Sequence, residues 1–256
     1  MRSLVVLALC CAAVAASPKT PSRIVGGNPT TIDKYPSKAG VVYTADNIHF
    51  YASCGGAIIN NRSILTAAHC TIDFPLFFLR IRVGSTFASS GGEVLPTSAS
   101  IISPCFNRAT LDCDISLVRT SVSIVYSSRV QPAPIAGQFY HLPDEVPVWA
   151  TGWGDTDPDV PSLSEQLQEV ELFTVNQEIC RERFLLLDNF ITPNMLCAGI
   201  LDVGGKDQCY GDSGSPVYHN GVIVGICSFT GPCAAPEFPG VNARVSRFST
   251  WIQDNA

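Results

Sequence analysis

The chain has 256 residues, 46% of them apolar and 15% charged, enough to bury one or two cores of ordinary size. Its formal net charge of −6 argues against nucleic acid or an anionic membrane surface as a partner, because either needs a basic face. The acidity deepens after residue 23, since Arg2, Lys19 and Arg23 precede that point and none of the 22 acidic residues does.

At the start, Arg2, an apolar run over 4–14 and the small residues Ala15, Ala16 and Ser17 predict a signal peptide over residues 1–16. About ten apolar residues are too few to span a bilayer. No later run approaches spanning length, so a secreted, extracellular protein with no membrane partner is expected. Cysteine usage points the same way. Apart from Cys10 and Cys11, the chain carries Cys54, Cys70, Cys105, Cys113, Cys180, Cys197, Cys209, Cys227 and Cys233. None sits in a Cys-x-x-Cys pair, so the pattern reads as a disulfide framework rather than a zinc site. The number is odd, which leaves one thiol over. Beyond residue 23 the only lysines are Lys34, Lys38 and Lys206. Such a balance suits an alkaline medium, because lysine discharges near pH ~10.4 and arginine does not.

Short β-branched and apolar runs at 58–67, 79–83, 146–151 and 215–226, divided by Gly, Pro, Asn and Ser, predict an all-β chain. The polar stretch 120–134 is the expected crossing between two halves. A short helix is expected to begin at Asn176. Asn220-Gly221, between Pro216-Val217-Tyr218 and Val222-Ile223-Val224, predicts a hairpin with a type I′ turn. Phe248, Trp251 and Ile252 fall at i, i+3 and i+4 behind Ser246. They predict a C-terminal helix over about residues 246–254 with Ser246 as its N-cap.

Three local contexts carry chemistry. Gly211-Asp212-Ser213-Gly214 places a serine between glycines, where the backbone can turn tightly and aim successive N–H groups at one point. Ala67-Ala68-His69-Cys70 holds a histidine beside a cysteine, and Asp114-Ile115-Ser116-Leu117-Val118 puts an acid at the head of an apolar strand. A buried acid there needs a partner for its charge. Peptide hydrolysis requires such a set: a nucleophile, a base to activate it, and donors for the charge that develops on the carbonyl oxygen. Each context alone is as easily a turn serine, a core histidine or a strand cap. The nucleophile elbow of α/β hydrolases does not fit, because position 215 is serine rather than glycine and the βαβ alternation is missing.

Taken with Ile24-Val25-Gly26-Gly27 after Arg23 and with Gly152-Trp153-Gly154, these contexts resemble the trypsin-like serine proteases from residue 23 to the C-terminus. Ile81-Arg82-Val83-Gly84-Ser85-Thr86, Asp207-Gln208-Cys209 and the segment 241–248 are similar, more narrowly, to insect trypsins of the moth larval midgut. The resemblance implies two antiparallel six-stranded β-barrels, over about residues 24–125 and 132–245, behind an activation peptide at 17–23. It implies that His69 is general base and then acid, that Asp114 orients it, that Ser213 is the nucleophile, and that the N–H groups of Gly211 and Ser213 form an oxyanion hole. Cleavage after Arg23 would free an α-ammonium on Ile24 to pair with Asp212.

By the same resemblance Asp207 is the floor acid of a pocket for Arg or Lys side chains, with Ser228 and Gly240 on its wall. Thr230 stands where a wall glycine is usual and is expected to narrow the mouth, as in elastases. Ser215 replaces a usual glycine, and Tyr210 stands at the rim. The resemblance also implies the disulfides Cys54–Cys70, Cys180–Cys197 and Cys209–Cys233. Cys105 and Cys113 are eight residues apart on a surface loop, within disulfide reach. Their pairing leaves Cys227 as the odd thiol in an apolar run. No metal or cofactor is implied. The expected partners are protein and peptide substrates, protein protease inhibitors and an activating protease, and the expected state is a monomer. An active enzyme of elastase-like preference and a non-catalytic homologue that acts as a binding partner are the alternatives. Asn61-Arg62-Ser63 reads equally as a glycosylation sequon or an unused turn.

Overall fold

The computed structural model describes residues 24–155, 157 and 163–256. The expected signal peptide at 1–16, the activation peptide at 17–23 and Arg23 itself lie outside the described residues. Six strands close the first antiparallel barrel: β2 (Lys38–Tyr43), β3 (Tyr51–Ile58), β4 (Ser63–Thr66), β5 (Leu79–Val83), β6 (Glu93–Ile102) and β7 (Ser116–Thr120), in the order β2-β3-β4-β7-β6-β5. Six more form the second: β8 (Pro147–Gly152), β9 (Gln168–Thr174), β10 (Met195–Gly199), β11 (Pro216–His219), β12 (Val222–Phe229) and β13 (Gly240–Arg244). The order is β9-β10-β13-β12-β11-β8, closed by the pairing of β8 with β9. Closure removes the exposed strand edges that an open sheet of this size would present. A short strand, β1 (Asn28–Pro29), pairs with β9 and ties the segment after Ile24 to the second barrel.

Local chemistry explains the elements. In β9 burial alternates along Gln168, Val170, Leu172 and Thr174 against the more exposed residues between them, the period of a half-buried strand. Asn220 (φ 50°) and Gly221 (φ 77°) both take positive φ between β11 and β12, as a type I′ turn requires. Helix α1 (Gln177–Leu185) starts where the Asn176 side chain accepts the N–H groups of Glu178 (3.0 Å) and Ile179 (3.3 Å). Helix α2 (Val245–Asn255) differs from expectation at its start. Ser246 lies inside it, and the cap is Arg244, extended and without a side-chain cap bond. The chain passes directly from β13 into α2, and the Arg244 guanidinium is committed to Met195 C=O (3.0 Å) and Gln177 Oε1 (2.6 Å).

One apolar core runs through both barrels, from Ile58, Leu65 and Val118 to Val148, Ile226 and Phe248. A smaller cluster around Phe184 and Met195 packs α1 onto the second barrel. Disulfides join Cys54 to Cys70, Cys105 to Cys113, Cys180 to Cys197 and Cys209 to Cys233, and Cys227 is a buried free thiol. Burial pushes that thiol's pKa well up, so it is held neutral and behaves as a small hydrophobe. No helix of the described residues is long and apolar enough to cross a membrane.

Candidate active site

The cleft lies where loops of the two barrels meet. His69 follows β4, its backbone held by the buried pair Ala67 and Ala68 and by the Cys54–Cys70 bridge to β3. Asp114 precedes β7 and is 1% exposed. One carboxylate oxygen accepts the backbone N–H of His69 (2.9 Å), and the other contacts His69 Nδ1 (2.7 Å). The second oxygen also accepts the hydroxyl of Ser228, from β12, at 2.5 Å. Three polar partners therefore hold a carboxylate that burial would otherwise destabilise. Ser228 was expected on the pocket wall. It does face the cleft cavity, but its hydroxyl is spent on Asp114, a partnership across the barrel interface that no local motif discloses.

The loop that delivers Asp114 is braced twice. Cys113 has φ 53° and is bridged to Cys105. Next to it, the Asp112 carboxylate accepts the Thr192 hydroxyl (2.6 Å) and the Asn194 amide (3.1 Å), both from the second barrel. In the chain-entropy picture, closing a loop this short contributes about 2–3 kcal/mol. Cys105→Ser combined with Cys113→Ser is accordingly expected to lower Tm by roughly 5–10 °C. Because the Asp112 contacts remain, kcat at 25 °C is expected to change by no more than about threefold. A calorimetric scan beside steady-state rates checks both; a loss of rate without a loss of Tm contradicts this division.

Ser213 lies on the loop between β10 and β11. Its C=O accepts the N–H of Gly55 on β3 (2.7 Å), and the next residue, Gly214, donates to Cys227 C=O (2.8 Å). A Cβ on Gly214 would lie 2.2 Å from Thr66 Oγ1 and 2.6 Å from Gly55 C=O. Only glycine lets the serine approach the first barrel so closely. Among the described residues, the N–H groups of Gly211 and Ser213 have no protein acceptor. No hydrogen bond joins Ser213 Oγ to His69 Nε2, a contact that commonly tightens only when substrate is bound.

Asp212 is fully buried beside Ser213. Its carboxylate accepts the N–H groups of Gly154 (2.9 Å) and Cys209 (3.1 Å). A Cβ on Gly152 or Gly154 would fall within 2.5 Å of that carboxylate, which explains why both ends of Gly152-Trp153-Gly154 are glycine. Burial raises the pKa of Asp212. Ile24 is fully buried, and the C=O of the following Val25 accepts the N–H of Asp207 (3.1 Å).

Beside Ser213 is a cavity of about 150 Å³ lined by Gln208, Tyr210, Cys227, Phe229 and Thr230 among others. The carboxylate of Asp207 is 1% exposed and accepts Gln208 N–H (2.8 Å), Thr230 Oγ1 (2.9 Å) and Ala234 N–H (3.1 Å). Burial pushes its pKa up to about 7, against the pull of those three donors. Thr230 thus does something other than merely narrow a mouth. Its hydroxyl bends onto the buried carboxylate, which does not itself line the cavity. Gly240 approaches from the other side, where a Cβ would sit 2.8 Å from Asp207 Oδ1. Gln208, 2% exposed, has no hydrogen-bond partner for either amide atom among the described residues. In the sequence Gln208 is legible only as part of Asp207-Gln208-Cys209, and nothing local marks it out for a role of its own. Tyr210 is 73% exposed at the rim. Cys54, His69 and Cys70 are grouped tightly enough to suggest a metal site, but both sulfurs are in a disulfide and offer no thiolate.

Two closed barrels with a His–Asp pair and a glycine-flanked serine at their junction define a peptidase of the chymotrypsin-like fold. The trypsin family model matches residues 24–252, and the chain belongs to that family as a trypsin-like serine endopeptidase. It is 51% identical to "Trypsin CFT-1" of Choristoneura fumiferana, over 99% of each chain. It is 52% identical to "Trypsin, alkaline A" of Manduca sexta, over 99% of this chain and 98% of that one. It is 34% identical to "Vitellin-degrading protease" of Bombyx mori, over 94% of this chain and 89% of that one.

Proposed function

We propose that the protein is a secreted digestive endopeptidase, made as a zymogen, activated by cleavage after Arg23 and cutting peptide bonds after Arg or Lys. Ser213 attacks the scissile carbonyl, and His69 takes its proton and returns it to the leaving amine. Asp114 holds the imidazole in orientation and stabilises its cationic form, while the N–H groups of Gly211 and Ser213 receive the oxyanion. The α-ammonium of Ile24 pairs with Asp212, and Asp207, with Gly240 beside it, receives the basic side chain.

The observation that carries the specificity is the buried Asp207 carboxylate, which has hydrogen-bond donors but, among the described residues, no cation as a partner. A guanidinium or ammonium would supply the missing charge. The scarcity of lysine and the alkaline trypsins among the relatives support an alkaline medium. Protein protease inhibitors and an activating protease follow as partners. The expected state is a monomer.

A second reading, a preference for small apolar residues, is favoured by the Thr230 hydroxyl capping Asp207. Profiling the activated enzyme on a peptide library separates the two. Cleavage after Arg and Lys is expected; preference for Ala or Val with Arg ignored overturns the proposal. Thr230→Gly is expected to raise kcat/KM for Arg substrates by about tenfold, since it uncaps the carboxylate and removes a competing donor worth about 1–1.5 kcal/mol.

A further inference from the structure

Lys38, the first residue of β2, is fully buried, and the activity described so far makes no use of it. Its ammonium donates to Ser215 Oγ at 2.5 Å and lies 5.0 Å from the centroid of the Trp153 ring. Ser215 in turn donates its N–H to the C=O of Asp212 (2.9 Å). These groups share one hollow that glycines leave open. A Cβ on Gly55 would lie 2.3 Å from Lys38 Nζ and 2.0 Å from Ser215 Oγ. One on Gly152 would lie 1.9 Å from Asp212 Oδ1 and 3.3 Å from Ser215 Oγ. The field of the lysine favours the ionised carboxylate of Asp212, and that carboxylate favours the lysine's charge, each opposing its own burial. Of the other groups that reach the pair, Cys227 is held neutral and Asp155 opposes the charge on Asp212.

A buried carboxylate needs a counter-charge to stay ionised. In the function proposed above that charge arrives only when Ile24 is freed. Lys38 is supplied by β2 rather than by a new chain end, and although burial lowers its pKa, the field of Asp212 favours its charge. We propose that Lys38, through Ser215, is a built-in counter-charge that holds the loop carrying Gly211, Asp212 and Ser213 in its catalytic shape before the chain is cut after Arg23. It is a positioning residue that acts on the loop and touches no substrate. The uncut chain would then not be silent, and one molecule could process another.

The proposal rests on the zymogen reading, and the test separates the two. Purified full-length Arg23→Gln, which cannot be cut there, is compared with the cut wild type by the rate at which diisopropyl fluorophosphate labels Ser213. The uncut protein is expected to label within about tenfold of the cut one. Adding Lys38→Met is expected to slow the uncut chain by roughly 30-fold or more but the cut chain only about threefold, since the Ile24 ammonium replaces the lost charge. A silent Arg23→Gln protein overturns the proposal. So does a Lys38→Met effect that is equal in cut and uncut chains, since that is structural damage. If Lys38→Met fails to fold, Ser215→Gly replaces it. That variant breaks the bridge without burying a new side chain, and it too must slow the uncut chain more than the cut one. Failure of the cut wild type to label at all would instead refute the catalytic assignment on which both rest.

Discussion

Replacing Ser213 by alanine is expected to lower kcat on an arginine amide substrate by about 10⁶-fold and to abolish labelling by organophosphates. The expected residue of rate over water, about 10³- to 10⁴-fold, belongs to the oxyanion donors and substrate binding. Stability is expected to stay within roughly 0.5 kcal/mol. The bonds that hold this loop run through backbone groups, from Gly55 N–H to Ser213 C=O and from Gly214 N–H to Cys227 C=O, and alanine keeps them. Steady-state kinetics with a melting curve on the same sample checks both parts. Full turnover in the variant would remove Ser213 from the mechanism; a collapsed melting curve would make the lost rate a folding effect.

The second large effect is expected at Asp207. Asp207→Asn removes the charge that an arginine would meet in the proposed pocket and leaves the shape nearly unchanged. Losing one member of a desolvated charge pair costs about 3–4 kcal/mol, so kcat/KM for Arg substrates is expected to fall by roughly 100- to 1,000-fold. Substrates with a small apolar residue at the cleavage site should lose little. The wild type also carries a pH signature. The carboxylate is protonated below about 7 in the free enzyme because burial raises its pKa, so kcat/KM for Arg substrates is expected to rise with pH through that value. The asparagine variant lacks this limb. The stability sign is the reverse. An unfolded aspartate titrates near 4, so the folded state binds the extra proton between about pH 4 and 7. The stability that this group contributes is present at the acid end and is lost as pH rises through the folded pKa. At pH 8 Asp207→Asn is therefore expected to raise Tm, not lower it. A variant that cuts after Arg as well as the wild type does would show that the pocket takes its charge from elsewhere.

The elements read most clearly from the chain were those with a short-range cause. Asn220-Gly221 between two apolar triplets requires a tight turn because both residues tolerate positive φ. Asn176 caps α1 with its own side chain. Ser246 was misread for the converse reason: the start of α2 is decided by the strand that leads into it and by a distant use of Arg244. The glycines of Gly152-Trp153-Gly154 were legible as a motif, but their necessity lies in how closely the Asp212 carboxylate approaches.

By itself the sequence determined the all-β class, the trypsin-family membership and the residue types to which the proposed chemistry is assigned. These depend on alternation, turn residues and contiguous motifs, which a linear chain displays. What only the tertiary structure decided are the partnerships between residues far apart in the chain. Ser228 faces the cavity beside Ser213 but gives its hydroxyl to Asp114, and Thr230 bonds to Asp207 instead of merely narrowing its access. Asp112 ties the acid loop to the second barrel, and Lys38 lies against Ser215 across 177 positions. Each follows from burying a charge or a hydroxyl where water cannot satisfy it. Which group answers that need depends on which strands the two barrels bring together, and no local pattern encodes it.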